Sequence, residues 1–319
     1  MTSTQIDSTV TSRPKSADWA IEVSNLNFSY GGPFTLNDVE FRLQRGSRCL
    51  LVGANGAGKS TLLTILAGKR MVRDKVLVFG KDAFNDSPPG VTYLGTEWVN
   101  NPVVRGDVRV STLLSKMNGD RYAERRDRLI KIMDINPDWH MHQVSDGERR
   151  RVQLVLGLIK PWELLLMDEV TVDLDVLVRA DLLRFLKRET EIRGATIVYA
   201  THIFDGLGSW PTCVSHMKRG RIVSSYEFSN FPELDAVIAE QVQLRSTLSS
   251  TALRKHMDSP LLIVVERWLR EDLQELRALK DANNEKDKAL LGEAKPRTRW
   301  DELEEDVDNY GDKYYNYWR

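Results

Sequence analysis

Short apolar runs alternate with longer stretches whose apolar positions recur every three or four residues, from residue 20 to about residue 226. The runs predict strands at 20–30 (AIEVSNLNFSY), 39–43 (VEFRL), 49–53 (CLLVG), 91–94 (VTYL), 163–168 (ELLLMD) and 195–200 (ATIVYA). Strands separated by helical segments are the pattern of an α/β domain with a mainly parallel sheet. Between 106 and 143 the chain turns charged and helical, which predicts a helical subdomain inserted in the core over about 103–160. The boundaries that follow are a polar leader at 1–18, an α/β domain at 19–230 and a C-terminal helical extension with an aromatic and acidic tail at 231–319.

Within that extension, 258–280 reads DSPLLIVVERWLREDLQELRALK. Asp258 or Ser259 can cap a helix there, Pro260 suits its first turn, and Leu262, Val265, Leu269, Leu273 and Leu276 recur at helical steps. This predicts a helix packed back on the α/β core. The last residues, 300–319, mix acids with Trp300, Tyr310, Tyr314, Tyr315, Tyr317 and Trp318. Such a tail serves either as a docking element or as a strap on the protein's own surface.

Composition changes this picture little. The 319 residues include 45 basic and 46 acidic side chains, a net charge of −1, so no overall field favours direct nucleic-acid or anionic-membrane binding. Cys49 and Cys213 sit in apolar strand-like contexts without metal-ligand spacing, which predicts buried, reduced thiols. The leader lacks the apolar centre of a secretory signal, and no run approaches the roughly 20 apolar residues of a spanning helix. The expectation is a soluble protein, cytoplasmic or nuclear.

The chemistry starts where the strand at 48–52 empties into VGANGAGKST. Gly53, Gly58, Lys59 and Ser60 fit G-x-x-x-x-G-K-S/T, in which backbone N–H groups close around a triphosphate, and Asn55, Gly56 and Thr61 complete the candidate cradle. A helix opening near Lys59 adds its positive end, Lys59 would lie along the β- and γ-phosphates, and the Ser60 hydroxyl would ligate Mg²⁺. The alternative is a glycine turn that binds nothing, but the strand before it and the helical TLLTILAG after it favour the nucleotide.

Such a loop calls for a carboxylate at a neighbouring strand end, and LLLMDEV at 164–170 offers Asp168 for the metal and Glu169 as a general base. At 142–159, Ser145 with Glu148 three residues on reads as a capping box opening a long helix, and Gly147 permits close backbone approach.

Taken together, VGANGAGKST, VSDGERRRVQ, LLLMDEVTVDLD and YATHIF resemble, in order and spacing, the nucleotide-binding domain of ATP-binding-cassette (ABC) ATPases over about residues 20–226. The resemblance implies a P-loop NTPase fold of ABC type, with an N-terminal β subdomain, an inserted helical subdomain, and Mg-ATP as ligand. It makes 144–148 the signature loop, Asp175 the D-loop acid, His202 the switch histidine and Tyr30 the aromatic that stacks on adenine. Taken one at a time, these residues read sooner as a cap, a turn acid, a core histidine and a strand aromatic, and only their combination favours the family roles. Members of the family work as head-to-tail pairs, which implies that Ser145 and Gly147 serve ATP held by a second subunit. A homodimer is the simplest completion, and a heterodimer is the alternative.

Two departures from the family pattern stand out. Asp146 and Glu148 replace the usual glycine and glutamine of the signature and bring negative charge near the phosphates. Thr96, beside Glu97, occupies the glutamine position that couples transporter cassettes to their membrane partner. A single cassette with YLGTEW and a tail ending YNYWR is similar to the fungal ABC ATPase associated with the CCR-Not regulatory complex and to its plant relatives. Three functions follow as expectations: an ATP-driven switch in such a complex, a transporter ATPase subunit, or a nucleotide-binding scaffold with little turnover.

Overall fold

The computed structural model describes residues 19–95, 106–247 and 259–290, the side chains of 244–247 and 280–290 excepted. The leader, Asp258, Thr96, Glu97 and the terminal aromatics lie outside the described residues.

In chain order the elements are β1 (Trp19–Ser29), β2 (Phe34–Gln44), β3 (Arg48–Val52), α1 (Lys59–Leu66), β4 (Val76–Val78), β5 (Lys81–Asp82) and β6 (Val91–Leu94). There follow α2 (Val110–Lys116), α3 (Ala123–Ile132), α4 (Asp146–Ile159), β7 (Leu164–Asp168), α5 (Val176–Arg193), β8 (Thr196–Ala200), β9 (Cys213–Lys218), β10 (Arg221–Glu227), α6 (Pro232–Thr247) and α7 (Pro260–Leu290). They form two sheets. One is antiparallel, in the order β2-β1-β4-β5; the other runs β10-β9-β3-β8-β7-β6 and is parallel except for the edge strand β10. Strands β3, β7 and β8 are buried along their whole length, the pattern of parallel strands covered on both faces.

The N-terminal hairpin is longer than the sequence pattern predicts. Strand β2 begins at Phe34 rather than at residue 39, and its buried positions are Leu36, Val39, Phe41 and Leu43. The step from 36 to 39 breaks the two-residue period because Asp38 takes a positive φ of 52°, opposite Asn25 at 51°. Asn25 Nδ2 donates to Asp38 Oδ1 at 3.0 Å across this irregularity. An extra residue of this kind is a bulge, which hides the alternation from a periodicity count.

Helices α2, α3 and α4 lie in the chain between β6 and β7. They are tied to the core by an ionic cluster: Glu189 of α5 accepts from Arg125 of α3 at 2.6 Å and from Arg193 at 2.5 Å. Arg125 also donates to Leu158 O at 2.8 Å.

The backbone divides into two compact units, 1–269 and 270–319. In the first, the opening turns of α7 bury Leu261, Val264, Val265 and Trp268 in the main core. Trp268 stacks on His216 of β9 with ring centroids 4.8 Å apart, and its indole N–H donates to Glu233 Oε2 at 2.6 Å. The buried face is therefore rotated from the predicted one, since Leu262 and Leu269 are only partly buried. In the second unit, the described part is the rest of the helix, where Leu273 and Leu276 are exposed. No helix among the described residues is long and apolar enough to cross a membrane.

Cys49 and Cys213 are free thiols on neighbouring strands in register, Cys49 buried and Cys213 partly exposed. The side-chain hydrogen bond with Cys213, and burial after it, push the Cys49 thiol pKa up.

Candidate functional site

The turn after β3 can be built only with glycine at two positions. A Cβ on Gly53 would meet the Met217 carbonyl oxygen of β9 at 2.1 Å. Gly58 caps α1 at φ 106°, and a Cβ there would meet Leu36 Cδ2 at 2.7 Å. The β9–β10 turn also holds the loop from below, since Gly220 N donates to Ala57 O at 2.9 Å.

Lys59 opens α1 and is nearly buried; its ammonium donates to Gly53 O at 2.7 Å and to Ala54 O at 3.1 Å. Burial pulls its pKa below the usual lysine value, and Glu169 and Asp168 counter this by Coulomb attraction. The loop faces a cleft of about 230 Å³ shared by Asn55, Gly56, Gly58, Lys59, Ser60 and Thr61 on one side and Asp168 and Glu169 on the other. Thr35 lines it as well, a residue that sequence reasoning missed. Its position depends on the β2 hairpin, and no local pattern marks it.

Asp168 ends β7, buried. Glu169 then turns the chain with a positive φ of 53°, a conformation that costs a non-glycine residue roughly 1–3 kcal/mol and that tends to persist at functional sites. Its N–H donates to Ala200 O at 3.0 Å, and its Oε2 lies 2.5 Å from His202 Nδ1. Two carboxylates adjacent in sequence are thereby given different surroundings, and the second lies against an imidazole two residues beyond the end of β8.

Tyr30 touches the loop through its hydroxyl, 3.3 Å from Thr61 Oγ1. Its ring stands edge-on to Phe28 at 4.9 Å, under the guanidinium of Arg70 at 5.0 Å, and is more than half exposed. The exposed ring can accept a planar partner. Arg70 is a second residue that the sequence did not single out.

Ser145, Gly147 and Asp175 do not line this cleft. Ser145 caps α4 through a complete capping box: its Oγ accepts from Glu148 N at 3.2 Å, and Glu148 Oε2 accepts from Ser145 N at 2.8 Å. The Ser145 backbone N–H and then its hydroxyl, each donating to Glu148 Oε2 at 2.8 Å, hold the Glu148 carboxyl below its usual pKa range. Asp146 pairs with the guanidinium of Arg149, which also donates to Val144 O at 3.0 Å. Asp146 and Glu148, the two acids that depart from the family pattern, are therefore engaged locally. A Cβ on Gly147 would meet only Asp173 O, at 3.4 Å, so its outer face is open to close approach. Asp175 caps α5, accepting from Leu177 N and Val178 N at 3.0 Å each. Beside it Val176 and Leu177 are largely exposed, 82% and 78%, an apolar pair open to solvent.

Comparison with known proteins agrees with this geometry. Residues 36–172 match the family described as ABC transporter. The chain is 46% identical over 245 residues to CCR4-associated factor 16 of Saccharomyces cerevisiae, covering 71% of this chain and 85% of that one. It is 40% identical over 289 residues to ABC transporter I family member 20 of Arabidopsis thaliana, with coverage of 84% and 81%. Among solved structures, cbiO1 from Clostridium perfringens, part of the ABC transporter complex cbiONQ, superposes with a TM-score of 0.57 at 24% identity, covering 72% of this chain and 96% of that chain. A bacterial ABC transporter cassette solved as a dimer gives 0.56 at 18% identity, covering 66% and all of that chain. These two structures share the fold.

Proposed function

The chain belongs to the ATP-binding-cassette ATPases, and on that footing we propose that it binds and hydrolyses Mg-ATP at the interface of a head-to-tail homodimer. The observation that carries this reading is the convergence of a glycine-only loop, a nearly buried Lys59 and the Asp168–Glu169 pair on one cleft. At about 230 Å³ the cleft is smaller than the roughly 300–1,000 Å³ of an enclosed ligand pocket, so it suits the phosphate end. The exposed Tyr30 ring beside it suits the adenine.

The donor set fits a magnesium nucleotide. Asp168, a buried carboxylate on the cleft, and Ser60, a hydroxyl in the first turn of α1, are hard oxygen ligands of the kind Mg²⁺ takes. Bound there, the ion would neutralise charge on the β- and γ-phosphates. Lys59 would exchange its bonds to Gly53 O and Ala54 O for phosphate oxygens. Glu169 would take the proton of the attacking water, with His202 holding that carboxylate in orientation. Since Ser145 and Gly147 stand outside this cleft, they would serve the nucleotide of the second subunit. Asp175, with the apolar pair Val176 and Leu177, would sit at that contact.

The similarity to CCR4-associated factor 16 supports a regulatory role in a CCR-Not-type assembly, in the cytoplasm or nucleus, over transport. Affinity purification of the full chain carrying Glu169→Gln, with its partners identified, tests this. Recovery of CCR-Not-type components supports the assignment, and recovery of a membrane permease replaces it. Absence of phosphate release from the wild-type chain with Mg-ATP would reduce it to a nucleotide-binding scaffold.

A further inference from the structure

Ahead of the Ser145 cap, 107–110 and 139–142 run antiparallel. Val110 N donates to Trp139 O and Met141 N to Val108 O, each at 2.9 Å, and Arg109 bridges His140. Val110 and Met141 are fully buried in the core, so this short ribbon is anchored from within. Strand alternation then turns His140 and His142 to the opposite side, with Asp107 on the same face of the facing segment.

One carboxylate oxygen meets both rings. Asp107 Oδ1 lies 2.5 Å from His140 Nδ1 and 3.2 Å from His142 Nδ1, and one ligand atom from each of the three residues falls within 4.8 Å of the others. The two rings stand nearly perpendicular, 79°, with centroids 5.8 Å apart. A single ion pair would need only one imidazole. Three convergent donors on an anchored ribbon make a preformed ligand set, open to solvent on one side.

We propose that Asp107, His140 and His142 bind a divalent transition-metal ion of the Zn²⁺ class, at a site separate from the nucleotide cleft. Two imidazoles and one carboxylate suit a borderline cation better than Mg²⁺ or Ca²⁺, which prefer oxygen alone. Tetrahedral ligands about 2.0–2.1 Å from Zn²⁺ stand roughly 3.4 Å apart, a spacing that small side-chain rotations of these three residues reach. Water would take the fourth position. The ion would fix the segment that leads into the signature helix: Gln143 N donates to His140 O at 2.9 Å, and Arg149 clamps Val144 O. Its bearing on ATP turnover rests on the role proposed above for Ser145, whereas metal binding itself does not.

The test is titration of tag-free, chelator-stripped full chain with Zn²⁺ by calorimetry and with Co²⁺ by absorption, for the wild type and for His140→Ala, His142→Ala and Asp107→Asn. Loss of an outer-shell partner already lowers metal affinity about 10–100-fold, so removing either histidine should cost at least about 100-fold. The wild type should bind one ion per chain with a tetrahedral nitrogen and oxygen Co²⁺ spectrum. Circular dichroism and ATP binding should be unchanged in the variants, and His142→Gln serves if the alanine variant does not fold. Equal affinity in wild type and a His140→Ala/His142→Ala double variant would overturn the proposal. So would a thiolate-to-cobalt band, which places the ion on the cysteines. Independently of turnover, Zn²⁺ should slow hydrogen exchange over 139–148 in the wild type alone; unchanged exchange there would overturn the ion's hold on the cap.

Discussion

The carboxylate of Glu169 and the imidazole of His202 meet at 2.5 Å although they follow the ends of two different strands, β7 and β8. If His202 orients Glu169 as proposed, their substitutions should not be additive. Glu169→Gln should lower ATP turnover by about 10²–10⁴, the usual worth of a positioned base, and leave ATP binding intact. His202→Ala should lower it too, yet the double variant should be little worse than Glu169→Gln alone. Phosphate-release rates with Mg-ATP decide this, and multiplicative losses would show that the two act separately.

The placement of Ser145 outside the cleft predicts complementation between defective subunits. Ser145→Arg and Lys59→Ala chains should each be inactive alone. Mixed, they should regain activity, because the heterodimer pairs one intact loop with one intact signature. Inactivity of the mixture, with dimers present by light scattering, would refute the trans arrangement.

Gly58 is hemmed in by Leu36 and Met217 and holds a φ of 106°. Gly58→Ala should therefore abolish nucleotide binding and lower the unfolding midpoint. Gly32→Ala, where a Cβ meets nothing within 4 Å, should change neither. Fluorescent-nucleotide titration and thermal melts separate the two outcomes.

Glu189 is the shared anion of Arg125 and Arg193, and it is 7% exposed. Burial already pulls the Arg125 pKa down against the attraction of Glu189. Glu189→Gln would leave a buried guanidinium uncompensated and should cost about 3–5 kcal/mol. Urea unfolding measures it, and a loss below about 1 kcal/mol would mean that solvent replaces the carboxylate.

Trp268, 6% exposed between His216 and Glu233, predicts that Trp268→Ala costs about 3–5 kcal/mol, as other buried aromatic truncations do. The same unfolding experiment reads it.

Legibility in the sequence followed the range of the interaction. The loop at 53–60, the acid pair at the end of β7 and the Ser145–Glu148 box are local, each fixed by residues within a few positions of one another, and each takes the local form that the spacing predicts. Thr35 and Arg70 reach the site through strand pairing and ring stacking, which leave no periodic trace. The rotated face of α7 has a similar cause. Leucine spacing marks a stripe, but the partner chooses which residues it covers, and the aromatic shelf of His216, Tyr226 and Phe231 selected Trp268.

That shelf includes a strand that faces both ways. His216 and Met217 are consecutive in β9, so their side chains leave it on opposite sides, one to the Trp268 ring and the other to the Gly58 turn. The start of α7 and the glycine loop are thus separated by a single peptide unit of β9. Any shift of Met217 on nucleotide binding would, by linkage, change how tightly the first turns of α7 are gripped, and a partner holding those turns would alter nucleotide affinity by the same factor.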